Sequence, residues 1–334
     1  MRIVVLYNEP VLPADHPDAE SEREIVDTAE IVARYLTDAG FTVSLFGAGR
    51  DAPSALAGLT AQRPDAVFNF YEGAADDGET EPYMAALMEW LDIPFTGCPF
   101  QTLALARNKP LTKRLLRGAG LPTPEFFTVE NQPVPPCTSA WPVIVKPANQ
   151  DASVGLDQGS VVQDQESLNN RVHDLLQRYG PPVLVEEFIP GREFNVALVE
   201  FPSLHALPIS EILFLGNDPC HWPIVTYDAK WKPGSTADLL TPPRCPADVS
   251  PPLAAKLETI ARQAFRLLGC RDYARVDFRV GPTGEPTILE VNPNPDFHPS
   301  AGFAGGLNAA GVDHAQFAVE LVRAALARGR RRKR

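Results

Sequence analysis

No run of apolar residues approaches the roughly 20 needed to cross a bilayer as a helix, and the opening MRIVVLYNEP has neither the basic region nor the apolar stretch of a secretory leader. Both absences lead to the expectation of a cytoplasmic chain with no membrane partner. Cysteine is sparse. Cys98, Cys137, Cys220, Cys245 and Cys270 are scattered with no CxxC spacing, so free thiols are expected, without a disulfide framework or a zinc site. The six histidines fit no metal spacing either, and His298 alone is kept as a substrate contact. Neither a GxxxxGK[ST] phosphate loop nor a GxGxxG fingerprint after the first strand is present. Positive charge is also short: the net charge is −12 and six of the last seven residues are basic, so the other 327 carry −18. An acidic body argues against a nucleic-acid groove, and the GRRRKR end reads as a solvated tail.

What remains is an ordinary globular composition, 44% hydrophobic and 22% charged, in 334 residues. That length suits two or three packed lobes. RIVVLYN reads as a buried strand. Ile25, Ala29, Val32, Ala33 and Leu36 have helical spacing, and FTVSLFG returns as a strand. DAVFNFYEG, a helix near residues 80–91 and a short strand IPFTG continue the alternation, which implies a parallel sheet with open loops at its strand ends. A helix from Lys109 to Ala119, the strand PVIVKP and a long Pro- and Gly-rich loop over 216–245 follow.

ARVDFRVGPTGEPTILEVNPN, residues 274–294, reads as a β-hairpin. Simple register puts Asp277 opposite Glu290 and Arg275 opposite Asn292, all on one face, with Val276, Phe278, Val280, Leu289 and Val291 on the other. Facing carboxylates repel. A hard divalent cation removes the repulsion, and two carboxylates with an amide carbonyl are oxygen donors that Mg²⁺ takes alongside water and phosphate. Arg275 would hold an anion beside it. The competing reading is a solvated face with an ordinary salt bridge.

PVIVKPANQDASVGL ends a strand on Lys146 and runs into a small-residue turn, a layout that suits polyphosphate. VLVEEFIPGREFNVALV reads as an acidic hairpin, with Glu186, Glu187 and Glu193 as polar insertions able to line a purine pocket near Phe188 and Ile189. Alone, each has a bland alternative: a snorkelling lysine and a surface hairpin.

Six ordered blocks, ESEREIV, IPFTGCPFQTLALARNKPLTKRLLRGAGLPTP, VIVKPANQDASVGL, VLVEEFIPGREFNVALV, TYDAKWKP and RVDF with ILEVNPNP, resemble the ATP-grasp superfamily and most closely its D-alanine–D-alanine ligase branch. The resemblance implies an α/β fold of three lobes. These are an N-terminal parallel α/β lobe over 1–100, a small central α+β lid lobe over 101–188 and a mainly antiparallel C-terminal lobe over 189–327, before a basic tail at 328–334. It implies ATP and two Mg²⁺ ions, with Mn²⁺ as a substitute. Lys109 and Lys146 resemble the phosphate lysines, with Ser153 in the loop between them and the lid. Glu186, Glu187, Ile189 and Glu193 resemble the adenine and ribose contacts, and Asp277, Glu290 and Asn292 the metal ligands. Arg275 resembles the arginine that stabilises charge at the acyl centre, and Glu22 the carboxylate that organises the first amino acid's ammonium. Ala152, Lys230, Trp231, Asp296 and Ser300 fall at substrate positions.

The resemblance carries a two-step reaction: a carboxylate attacks the γ-phosphate of MgATP, and an amine then attacks the acyl phosphate. The partners implied are small-molecule carboxylates and amines, with a homodimer as the assembly. Ala152 replaces a serine, Trp231 an aromatic of another kind, and NPNPDFHPS the Asn-Thr-x-Pro-Gly form, which points to a substrate pair other than two D-alanines. The alternatives are a true D-alanine–D-alanine ligase, and a nucleotide-binding module or acyl kinase that forms no amide.

Overall fold

The computed structural model describes residues 1–11, 19–74, 78–151, 153–216, 218 and 221–332, with backbone alone for 19–23 and 331–332. Its first layer is a parallel sheet in the order β2-β1-β3, made of β1 (Arg2–Asn8), β2 (Thr42–Ala48) and β3 (Ala66–Phe70). The helix α1 (Ala19–Asp38) buries Ile25, Ala29, Val32 and Leu36 against it, the face its spacing selects. The helices α2 (Ala52–Ala61) and α3 (Thr80–Trp90) complete the layer. IPFTG forms only an isolated parallel bridge between Val67 and Phe95.

After α4 (Phe100–Arg107) and α5 (Lys109–Gly118), a wholly antiparallel sheet is ordered β4-β7-β5-β6. Its strands are β4 (Phe126–Val129), β5 (Val143–Pro147), β6 (Val161–Val162) and β7 (Val183–Glu187), packed on α6 (Gln165–Tyr179). A second antiparallel sheet runs β11-β10-β8-β12-β13 with β9 on β8. It comprises β8 (Arg192–Val199), β9 (His205–Ala206), β10 (Ser210–Ile212), β11 (Pro243–Arg244), β12 (Tyr273–Val280) and β13 (Pro286–Asn292). The segment expected to be a loop over 216–245 carries two short helices, α7 (Tyr227–Trp231) and α8 (Thr236–Leu239), each capped by a hydroxyl, from Thr226 and Ser235.

VLVEEFIPGREFNVALV is therefore not a hairpin. β7 and β8 belong to different sheets, and the IPG turn carries the chain from one to the other. Gly191 makes this possible: at φ +140, a Cβ would sit 2.1 Å from the carbonyl oxygen of Val280.

The helices α9 (Pro251–Leu267), α10 (Gly302–Ala309) and α11 (His314–Arg332) close the fold, and α11 returns to pack on α1 and β3. Arg328, grouped by charge with the tail, lies within α11 and forks onto the Asp272 carboxylate at 2.6 and 2.8 Å. Cys98, Cys137, Cys245 and Cys270 are free thiols; Cys220 is outside the described residues.

Candidate active site

β12 and β13 pair as the alternation requires, Arg275 with Asn292 and Asp277 with Glu290. The register then slips between Asp277 and Phe278, so that Phe278 faces Ile288. This bulge changes one assignment. Ile288 is in the core, and Leu289, expected there, lines the cleft beside Glu290. On the polar face Asp277 accepts four hydrogen bonds: Arg275 Nε and Nη2 at 2.8 and 2.9 Å, Asn195 Nδ2 at 2.8 Å and Asn292 Nδ2 at 2.9 Å. Asn292 Nδ2 also reaches Glu290 Oε1 at 3.3 Å. The Arg275 guanidinium is desolvated by burial, yet Asp277 raises its pKa above the usual arginine value.

Two clefts meet at this hairpin and share Lys109, Asp151 and Glu290. The first lies between the two antiparallel sheets. Lys146, Ser153, Glu186, Glu187, Ile189 and Glu193 line it, with Asp277 at its floor. Lys109 opens α5 behind the Asn108 cap, and its ammonium donates to Gln150 O at 2.5 Å and to the Asp151 carboxylate. Lys146 on β5 and Glu186 on β7 share a sheet face and pair at 2.5 Å. Burial would raise the Glu186 carboxyl, but Lys113 and Lys146 together hold it below the usual range. Glu193 is raised by burial against the pull of Arg279, which it meets at 2.9 Å. Ser153, at φ +61, donates to Val225 O at 3.1 Å and so ties its loop to the segment before α7.

The second cleft lies beside the parallel sheet. Arg275, Asn292, Lys230, Trp231 and Asp296 line it, joined by Glu24, Glu72, Glu81 and Arg107. Acids outnumber bases here. Burial pushes Glu81 up to about 8 and raises Glu24, and Glu72, an exposed residue, is raised by partial desolvation of its carboxyl and by Asp296. Arg107 neutralises Glu81 at 3.0 Å and Asp151 at 3.2 Å.

Not every expected residue arrives. Ser300 lines neither cleft, its hydroxyl 2.6 Å from His298 Nδ1. Phe297, next to Asp296, is 2% exposed in an aromatic cluster with Phe68, Tyr273 and Phe303. Ala152 and the side chain of Glu22 lie outside the described residues. Sequence reasoning missed Lys113, Arg279 and Asn195, all polar and all bound to side chains of this site. Lys113 is one helical turn past Lys109, and Arg279 continues the alternation of Arg275 and Asp277, so the period itself carried both signals.

Asp277 and Glu290 offer oxygen donors of the hard kind, and Asn292, which turns its Nδ2 to both, would offer its amide oxygen on reorientation. Among the described residues no cluster of three or more His, Cys, Asp or Glu makes a full metal cage. Mg²⁺ bound there would complete its shell with phosphate and water.

A family model described as the D-ala D-ala ligase C-terminus matches residues 115–323. A D-alanine–D-alanine ligase of Gloeobacter violaceus is 33% identical over 329 residues, 96% of this chain and 98% of that one. An uncharacterized Sinorhizobium fredii protein, y4sG, is 35% identical over 230 residues, 69% of this chain and 65% of its own length. The crystal structure of the Bacillus anthracis D-alanine–D-alanine ligase complexed with ATP has the same fold, with a TM-score of 0.77 at 17% identity over the whole of both chains.

Proposed function

The chain belongs to the D-alanine–D-alanine ligase family and is an ATP-dependent carboxylate–amine ligase, and from that premise we propose which residues carry each step and which substrates fit. The observation that carries the reading is the meeting of two clefts at Lys109, Asp151 and Glu290. A nucleotide in the first and a carboxylate in the second would bring a γ-phosphate and its acceptor together across the hairpin.

Lys109 and Lys146 bind the polyphosphate and Ser153 closes the loop over it, exchanging their present partners for phosphate oxygens. Glu186, Glu187 and Ile189 receive the base, and Glu193 the ribose. Asp277, Glu290 and Asn292 hold Mg²⁺, with Mn²⁺ as a substitute; the ion when bound neutralises charge on the transferring phosphoryl group. A substrate carboxylate oxygen attacks the γ-phosphorus and ADP leaves. The amine then adds to the acyl carbon, Arg275 stabilises the oxyanion, and phosphate departs. Glu22 orients the first substrate's ammonium. α7 and the 153–156 turn exclude water, which would otherwise hydrolyse the acyl phosphate.

Lys230, Trp231 and Asp296 shape the substrate end, and the excess of carboxylates there disfavours an acceptor whose own carboxylate points at Asp296. With Ala152 at the loop, this supports an amino acid or other carboxylate joined to an amine other than D-alanine. The second reading, D-alanine ligation, rests on the Gloeobacter relative's name and coverage. The acidic body supports a cytoplasmic enzyme acting on small molecules without nucleic acid or membrane, and exposed Tyr83 and Trp90 on α3 support a homodimer. ADP release measured against D- and L-amino acids, amino acid amides and dipeptides, with product masses, tests the proposal. D-alanyl-D-alanine as the preferred product would overturn the substrate reading, and ADP release without any condensed product would overturn ligation.

A further inference from the structure

One carboxylate, Glu186, is held by two ammonium groups, Lys113 at 2.5 Å from Oε1 and Lys146 at 2.5 Å from Oε2. The two lysines are not equivalent. Lys146 has 14% of its side chain exposed and lines the nucleotide cleft. Lys113 has 2% exposed and does not line it. Its Nζ also donates to Leu289 O at 2.9 Å and Thr123 Oγ1 at 3.1 Å, which fix the ammonium in place against the Glu186 carboxylate. Thr123 in turn donates to Ile288 O at 3.0 Å. The two residues thus secure the consecutive carbonyls of the β13 bulge, the step in the chain that sets Glu290 on the metal face beside Asp277.

We infer that Lys113 is a positioning residue: the fixed counterion of Glu186, which keeps that carboxylate ionised and oriented toward the base of the nucleotide while Lys146 leaves it for the phosphates. Without Lys113, a buried Glu186 would keep Lys146 as its only cation, and phosphate would have to compete with it. The same ammonium ties the base end of the cleft to the bulge that precedes Glu290. The inference rests on the reading of this cleft as the nucleotide site and of Lys146 as a phosphate ligand.

The test measures MgATP binding by calorimetry and steady-state ADP release for the unaltered enzyme, Lys113→Met, Lys113→Arg, Glu186→Gln and the double variant. Lys113→Met is expected to raise Kd and KM for ATP at least tenfold, with kcat lowered less than threefold, and to erode the preference for ATP over GTP. Adding Glu186→Gln to it should cost less than threefold more, because the carboxylate that traps Lys146 is gone. Lys113→Arg, which keeps the charge, should recover most of the ATP affinity. ATP binding by Lys113→Met within twofold of the unaltered enzyme, or fully additive losses in the double variant, overturns the role of Lys113. Absence of ATP binding by the unaltered enzyme overturns the nucleotide site instead. If Lys113→Met does not fold, the comparison of Glu186→Gln with Lys113→Arg decides: a folded Lys113→Arg as defective as Glu186→Gln in ATP affinity contradicts the inference.

Discussion

Replacing Glu290 by glutamine separates folding from chemistry at this site. The carboxylate is partly exposed, and among the described residues its side chain accepts one hydrogen bond, from Asn292 Nδ2 at 3.3 Å. Glutamine keeps the shape and an acceptor oxygen, so the stability change should stay within about 1 kcal/mol. The catalytic loss should be far larger. Glu290 supplies one of the two carboxylates facing the cation position, and removing a charged group that stabilises transferring charge typically costs about 3–4 kcal/mol, or about 10²- to 10³-fold in rate. The assay is coupled ADP release across a Mg²⁺ titration, paired with a thermal melt of the same sample. Activity within threefold of the unaltered enzyme at saturating Mg²⁺, with an unchanged Mg²⁺ requirement, would refute the assignment of Glu290 to the metal.

Asp277→Asn should inactivate the enzyme and also destabilise it by about 3 kcal/mol, because Arg275 loses its counterion and Asn195 and Asn292 lose a charged acceptor. A denaturant titration superimposable on the unaltered protein's would contradict this. Asp296→Gly should raise kcat/KM about fivefold for acceptors with a free carboxylate relative to their amides, since a like charge is worth about 1 kcal/mol at partly screened distances; an unchanged ratio removes Asp296 from the specificity account. Burial raises Glu81 from 4.5 to about 8 against the pull of Arg107, so the folded protein keeps a proton that the unfolded chain releases. The stability this contributes is whole below about 4.5 and is lost as pH rises through about 8. Glu81→Gln should therefore flatten the fall of Tm across that window, and an unaltered slope counts against the burial argument.

Much of the site was legible because it lies on one hairpin, where period-two alternation alone fixes which side chains share a face. Arg275, Asp277, Glu290 and Asn292 came together on that rule. The bulge at Leu289 escaped it, since one extra residue leaves no mark in an apolar run. β7 and β8 were misread as partners because strand, turn and strand look alike whether the chain folds back or crosses to another sheet; Gly191 against Val280 is a tertiary fact. Glu24, Glu72 and Glu81 come from separate segments of the N-terminal layer, and only its packing against the hairpin gathers them round Arg107 and Asp296. Lys113 was hidden by its type, since a lysine on a helix is ordinarily solvated, and burial at 2% exposure is what singles it out.

The most direct test of carboxylate activation follows the oxygen. With the substrate pair that supports ADP release, the carboxylate is labelled with ¹⁸O and the inorganic phosphate product is analysed by mass. Attack on the γ-phosphorus followed by amine addition leaves one carboxylate oxygen in the phosphate, so phosphate carrying a single ¹⁸O is expected, in step with amide formation. Unlabelled phosphate formed together with the amide would contradict an acyl-phosphate ligase.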